Sequence, residues 1–375
     1  MKVIIIGTGI VGASAAYHLA KNNLDVIMID KKQEGKATSA GAGIVCPWMK
    51  EIENETWYSL AKNSFLFYPD LISALQKEGE NEVGYKKVGA LCVSRDPVKL
   101  DEMEERVKNK RVDAPEIGDI LRLNGEQARE FFPPLNKNLE ALYVSGGARV
   151  DGALLRDALK RAAQRNGAEF VEGEAELVHE NRKVIGVTVD NKTIFADRVL
   201  ITTGAWAPKL LEPLGIHLNV SPQRGQIAHI KLAGQDTSDW PIIIPQSTHY
   251  IVPFDAGKIV AGATRETGSG FDYRLTAGGV NEVLTEALEV APGLEDGTLE
   301  EVRIGFRPMA PDILPILGTV DTLEGVLLAT GLGPSGLTMG PYVGRLAASL
   351  IQDEEIELDL TPCRPGRAIG MKKYV

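Results

Sequence analysis

The first thirty residues restrict the chain's fold more than anything after them. Val3 to Ile6 is a short, wholly apolar run, as expected of a strand buried on both faces of a sheet. Gly7-Thr8-Gly9-Ile10-Val11-Gly12 follows at once, then a helical pattern from about Ile10 to Lys21, then a second apolar run from Leu24 to Ile29 that ends at Asp30. This is a complete βαβ unit carrying a G-x-G-x-x-G turn. Gly7 permits a tight turn off the strand, Gly9 lets a pyrophosphate approach the backbone, and Gly12 lets the helix pack close to the strand. The helix N-terminus, at Ile10 and Val11, then presents N–H groups and a positive dipole end to phosphates. Asp30, with Lys31 beside it, stands at the end of the second strand. A carboxylate there can accept from both ribose hydroxyls of an adenosine and would repel a 2′-phosphate, which disfavours NADP. A glycine-rich turn that binds nothing is the competing explanation, and the motif alone does not separate FAD from NAD.

Length and charge narrow the class. A chain of 375 residues is long enough for two domains, each with its own core. Hydrophobic residues at 44% and charged residues at 25% are ordinary for a soluble globular protein. The formal net charge of -10 argues against a nucleic-acid partner, because phosphate contacts need a concentrated basic surface. Cys46, Cys92 and Cys363 have no short pair spacing, so neither a metal site nor a disulfide framework is expected and a reduced, cytoplasmic setting fits best. Peripheral membrane association stays open. Lys2 and the apolar stretch to Ala20 look superficially like a signal peptide, but Gly7, Gly9, Gly12 and His18 interrupt it. No run approaches a transmembrane span.

Further along, helices are expected over Glu55 to Lys77, Asp96 to Lys110, Leu154 to Arg165 and Leu337 to Ile351. Lys183 to Val189 and Thr193 to Ala196 resemble a hairpin. Arg198 to Thr202 and Gly325 to Ala329 read as buried strands, each running into a Thr-Gly pair, Thr203-Gly204 and Thr330-Gly331. A glycine at the carboxyl end of a strand lets a ligand approach the sheet. Strand-rich, less regular sequence fills Val220 to Ala263. The expected fold is therefore α/β and α+β: a discontinuous Rossmann-like domain (1–82, 144–218 and 302–375) with an inserted mixed or antiparallel sheet domain (83–143 and 219–301).

Several motifs together resemble the D-amino-acid oxidase superfamily of amine-oxidising flavoproteins. They are the N-terminal fingerprint, Thr38-Ser39-Ala40-Gly41-Ala42-Gly43, Thr203-Gly204-Ala205-Trp206, Gly305-Phe306-Arg307-Pro308 with Pro311-Asp312, and the glycine-rich run Gly331 to Gly336. The resemblance implies FAD as cofactor, wrapped by Ser39, Ala40, Gly41, Gly43 and Ile44, with backbone near Ala175 meeting the adenine and Thr203, Gly204 and Trp206 beside it. It also implies that Gly331, Gly333, Pro334, Ser335, Gly336, Leu337 and Thr338 bring a helix N-terminus to the isoalloxazine, where the dipole would stabilise reduced flavin. Relatives that attach flavin covalently use a cysteine after the segment matching Gly305 to Pro308 or a histidine near the Ser39 segment. Both are absent here, so the FAD is expected to be non-covalent.

By the same resemblance, Arg307 takes the substrate carboxylate in a bidentate pair and Tyr250 contributes its hydroxyl to the same pocket. The competing explanations are an arginine tying two domains together and a core tyrosine. Pro334 departs from the glycine oxidase pattern, in which an arginine supplies a second carboxylate contact. Arg303, Arg265 or Arg224 are candidates to replace it, and the sequence does not choose among them. Trp48, Trp57 and Tyr58 line either the pocket mouth or the core. The expected reaction is oxidative deamination of a small amino acid or N-substituted amino acid, by hydride transfer from Cα to flavin N5. Electrons would pass on to oxygen, a quinone or a protein. An NAD-dependent dehydrogenase and a non-catalytic flavin module or subunit are the alternatives. Substrate side chain and oligomeric state stay open.

Overall fold

The structure is a computed structural model and describes residues 1–49 and 51–370. Strands Lys2–Ile6, Asp25–Asp30, Glu169–Glu172, Arg198–Ile201 and Leu323–Thr330 form a parallel sheet with Lys2–Ile6 at its centre, between Asp25–Asp30 and Arg198–Ile201. Strand alternation sorts the central residues onto two faces. Val3 and Ile5 join the core beneath helices Ile10–Lys21, Gly152–Arg165 and Gly336–Ile351. Ile4 and Ile6 join a second core with Val184, Val187 and Val189 from an antiparallel meander, strands Ala175–Glu180, Lys183–Val189 and Lys192–Phe195. Both faces of the central strands are covered, which is why Lys2–Ile6, Asp25–Asp30, Arg198–Ile201 and Leu323–Thr330 are mostly apolar, whereas the edge strand Glu169–Glu172 is not.

Close approaches hold the helical layer. A Cβ on Gly12 would sit 2.0 Å from the Gly7 carbonyl oxygen, and one on Gly344 would sit 2.4 Å from the Val11 carbonyl oxygen. The first and last helices therefore touch backbone to backbone. Pro341 lies inside the last helix and has no N–H to give the carbonyl of Leu337, four residues earlier. The hydroxyl of the fully buried Tyr68 donates to that carbonyl instead.

The second sheet is mostly antiparallel. Ser221–Lys231 pairs along its whole length with Thr298–Met309, and also with Lys258–Gly262. The sheet continues through Tyr250–Pro253, Ile242–Pro245, Ala90–Ser94, Glu140–Val144 and Ile120–Leu123. Helix Ala277–Val290 packs Val283 and Ala287 onto it. Thr298–Met309 crosses the boundary expected at residue 302. Its ladder with Ser221–Lys231, shifted in register just once, between His229 and Ile230, keeps the whole strand, Arg307 included, in the second sheet. The far end of the segment 302–375 lies partly outside the described residues.

Candidate active site

A cavity of about 1210 Å³ is lined by residues of both sheets and runs from the glycine turn to Tyr250 and Arg307. At its first end, Gly7 takes φ +93° and its N–H donates to the Ile29 carbonyl at 2.8 Å, closing the tight turn. Gly9 is different in kind. A Cβ there would meet just the Thr38 hydroxyl, at 3.3 Å, so protein packing alone does not require glycine. Its missing side chain serves the cavity. The Thr38 hydroxyl accepts from the Ile10 N–H at 3.1 Å, so one of the helix's first amides already has a protein partner.

Asp30 is also partly engaged. One carboxylate oxygen accepts from the N–H and hydroxyl of Thr8 at 3.0 and 2.8 Å, and the other faces the Lys36 ammonium at 3.0 Å. A carboxylate offers about four acceptor positions and three are taken by protein, so about one is left, fewer than the two that contact with both ribose hydroxyls would need. Lys31 pairs with Glu174 at 2.8 Å. Hydrogen bonds from Lys31 and Lys209 pull the Glu174 carboxyl down to about 2. That clamp sets the cavity rim beside Ala175.

Most of the expected cofactor residues line this cavity, including Gly9, Val11, Asp30, Ala40, Gly41, Gly43, Ile44, Ala175, Thr203, Gly204 and Trp206. Gly12, Ser39, Gly331 and Ser335 do not. Gly12 is spent on helix packing. The Ser39 hydroxyl accepts from Arg156 at 2.6 Å and its carbonyl from Arg303 at 3.2 Å, which fixes the segment from behind. Gly331 packs on Ala310, and Ser335 is buried. Gly333, Pro334, Gly336, Leu337 and Thr338 reach the cavity at the start of the last helix. The Thr338 hydroxyl donates to the Ile44 carbonyl at 2.9 Å, locking that helix end to the 39–44 segment.

At the other end, Arg307 lies with its guanidinium against Gly225, where a Cβ would meet it at 2.7–2.8 Å. Its Nη1 donates to the Thr264 carbonyl at 2.9 Å and to Gln223 Oε1 at 3.3 Å. Thr264 is itself fixed, because its hydroxyl donates to Glu266 at 2.7 Å and accepts from the Gln226 N–H at 2.9 Å. Among the described residues no carboxylate pairs with Arg307. Burial raises the pKa of the Tyr250 hydroxyl, against the opposing pull of Arg307 and Arg265.

The three candidate second arginines separate cleanly. Arg224 is buried, binds Glu266 through two nitrogens and holds Asp272 at 3.0 Å. Arg303 pairs with Glu301 and with the Ser39 carbonyl. Arg265 lines the cavity, and its pKa is lowered by burial and then by the charge of Arg307. Trp48 and Trp57 are core residues, and Trp48 packs edge-on against Phe65. None of Trp48, Trp57 and Tyr58 lines the cavity. Sequence reading gave no signal for an arm of the cavity lined by Cys46, Met49, Cys92, Met103 and Arg106. Burial pushes the Cys92 thiol up to about 12, so it is no nucleophile at neutral pH.

The profile of the FAD dependent oxidoreductase family DAO matches residues 2–350. The chain belongs to that family. It is 50% identical to the Bacillus subtilis (strain 168) protein named uncharacterized oxidoreductase YurR, over 98% of this chain and 99% of that one. It is 29% identical to glycine oxidase of Pseudomonas aeruginosa, over 97% of this chain and 98% of that enzyme. Among solved structures, iminodiacetate oxidase from Chelativorans sp. BNC1 superposes with a TM-score of 0.95 at 45% identity, covering 97% of this chain and 98% of that one. The chain is thus an FAD-dependent enzyme of the D-amino-acid oxidase superfamily, and its mixed α/β architecture is that of its relatives. The residues suit the cofactor. The cavity is continuous from the fingerprint to the second sheet, and the Thr203 hydroxyl, whose residue lines it, is buried with no partner among the described residues. Among the described residues no helix is long and apolar enough to cross a membrane.

Proposed function

We propose that this enzyme oxidises the Cα–N unit of a small amino acid or N-substituted amino acid and holds its FAD without a covalent bond. The carrying observation is Arg307, a cavity-lining guanidinium that no carboxylate among the described residues neutralises, set rigidly by Thr264, Gln223 and Gly225. Its planar fork suits a substrate carboxylate, and Tyr250 stands beside it as a further donor. The similarity to glycine oxidase and iminodiacetate oxidase supports a short substrate whose amine carries little bulk.

Bound FAD supplies the two-electron acceptor: the substrate Cα–H leaves with its electron pair, the amine loses a proton, and water then splits the imine into an oxo acid and an amine. The protein's part is placement. Arg307 and Tyr250 fix the carboxylate, and hence the angle of the Cα–H, while the 39–44 segment and the last helix close the opposite side. Gly336, Leu337 and Thr338 line the cavity at the start of the last helix, and that helix N-terminus would stabilise negative charge on reduced flavin. Mixing the yellow holoenzyme anaerobically with glycine, sarcosine, iminodiacetate, proline and D-amino acids should bleach the visible flavin bands with at least one of them. A flavin that none of these reduces would overturn the reading, and colour that stays with acid-precipitated polypeptide would overturn non-covalent binding.

A further inference from the structure

We infer that Arg265 and Arg307 form a two-carboxylate subsite, so that the substrate is an amine bearing a second carboxylate. The inference rests on the amine-oxidising reading above and deepens it. Arg265 directly follows Thr264, whose carbonyl accepts from Arg307; both arginines line the cavity, and Arg265 feels the charge of Arg307. Tyr250 feels both charges.

Pairing sets Arg265 apart. Arg224 is neutralised by Glu266 and Asp272, Arg303 by Glu301, and Arg106 faces Glu51 at 3.5 Å. Among the described residues Arg265 makes no ion pair or hydrogen bond, although it is exposed to the cavity in a protein of net charge -10. A chain rich in carboxylates thus leaves two neighbouring cations uncompensated at one place. Burial and then the charge of Arg307 disfavour the charge on Arg265, and an anion between the two groups offsets the repulsion. A monocarboxylate occupies the fork of one guanidinium and leaves the other unmatched. A molecule with two carboxylates, one on each side of the amine or both on one amino acid skeleton, satisfies both.

Unreactive ethers test this apart from turnover. Diglycolate carries two carboxylates flanking an oxygen, and methoxyacetate is the same skeleton with one. Their binding to the holoenzyme is read from perturbation of the visible flavin spectrum. Diglycolate should bind at least about 10-fold more tightly than methoxyacetate, as expected for one added charge-assisted contact. Arg265→Gln should collapse that ratio towards one, and Arg265→Lys should retain most of it. A parent ratio near one, or a ratio that survives in Arg265→Gln, overturns the subsite, whether or not glycine or sarcosine bleaches the flavin. If diglycolate is preferred and no amine reduces the flavin, the subsite stands and the amine-oxidising reading fails. Turnover of iminodiacetate against that of D- and L-aspartate tells the two placements of the second carboxylate apart.

Discussion

Gly225→Ala probes the placement of Arg307 without touching Arg307 itself. Gly225 lies in the long strand Ser221–Lys231, where its backbone conformation is open to any residue. An alanine Cβ there would stand 2.7 Å from Nη2 and 2.8 Å from both Cζ and Nη1 of Arg307. Ordinary contact needs about 3.5 Å, so the guanidinium must retreat by roughly 0.7 Å. The obstacle is the end of a flexible side chain rather than backbone, so the strand stays and the arginine moves. Displacements near 1 Å can cost on the order of 100-fold in a catalytic alignment, and losing a charge-assisted hydrogen bond costs about 1.5–3 kcal/mol. The predicted loss in kcat/KM is therefore about 10- to 150-fold, carried mostly by KM where the lost contact is made equally in the ground and transition states. Steady-state kinetics with the best amine of the panel would be compared with flavin content and Tm. An unchanged KM in a flavin-replete variant would refute the assignment of Arg307 to the carboxylate. Loss of flavin together with activity would show that the perturbation had spread beyond the arginine.

Two other perturbations test the scaffold. Tyr68→Phe removes the donor that serves the Leu337 carbonyl, which should lower stability by about 1–3 kcal/mol and weaken FAD retention. Adding Pro341→Ala restores an N–H for that carbonyl, so the cost of Tyr68→Phe in a double-mutant cycle should shrink, and equal costs in both backgrounds would contradict the account. His229 is buried, and burial, with the charges of Arg303 and Lys258, lowers its pKa to about 4. Above about pH 6.5 the ring is neutral in both folded and unfolded chains and adds no pH dependence. Between that value and about 4 the unfolded chain alone takes up the proton, so stability falls with falling pH by up to about 1.4 kcal/mol per unit. His229→Phe should flatten that part of a Tm–pH profile, and a slope identical to the parent's would exclude the effect.

The sequence displayed the first sheet far better than the second, for a physical reason. Strands covered on both faces must be apolar throughout, so Val3 to Ile6, Arg198 to Thr202 and Gly325 to Ala329 stood out, with their glycine turns after them. Helices Ile10–Lys21 and Glu55–Lys77 match their expected ends. Thr298–Met309 carries Glu300, Glu301 and Arg303 in its exposed or half-buried first half, which hides it as a strand. Ile242–Pro245 falls in the strand-rich stretch Val220 to Ala263 without bounds of its own, and Glu140–Val144 and helix Ala277–Val290 have no counterpart among the expected elements. Short strands in a half-solvated sheet, and a helix opening on Ala-Gly-Gly, give weak local signals. The glycine fingerprint was legible residue by residue because its constraint is local, whereas the Tyr68–Leu337 contact joins residues 269 positions apart.

The arginines show where a sequence stops being informative about a site. Arg224, Arg265, Arg303 and Arg307 are chemically identical, and three of them stood as equal candidates for a second carboxylate contact. What divides them is not their own chemistry but where the acids fall. Glu266 is two residues from Thr264 in the chain, yet it takes Arg224 with one oxygen and the Thr264 hydroxyl and Gln226 with the other. The carboxylate nearest in sequence to Arg265 is thereby consumed in holding Arg224 and bracing Thr264, whose carbonyl aims Arg307. One acid both withdraws an arginine from the site and stiffens the support of another. The same withdrawal leaves Arg265 unmatched beside Arg307, so the polarity of the pocket follows from how a buried network spends its few negative charges.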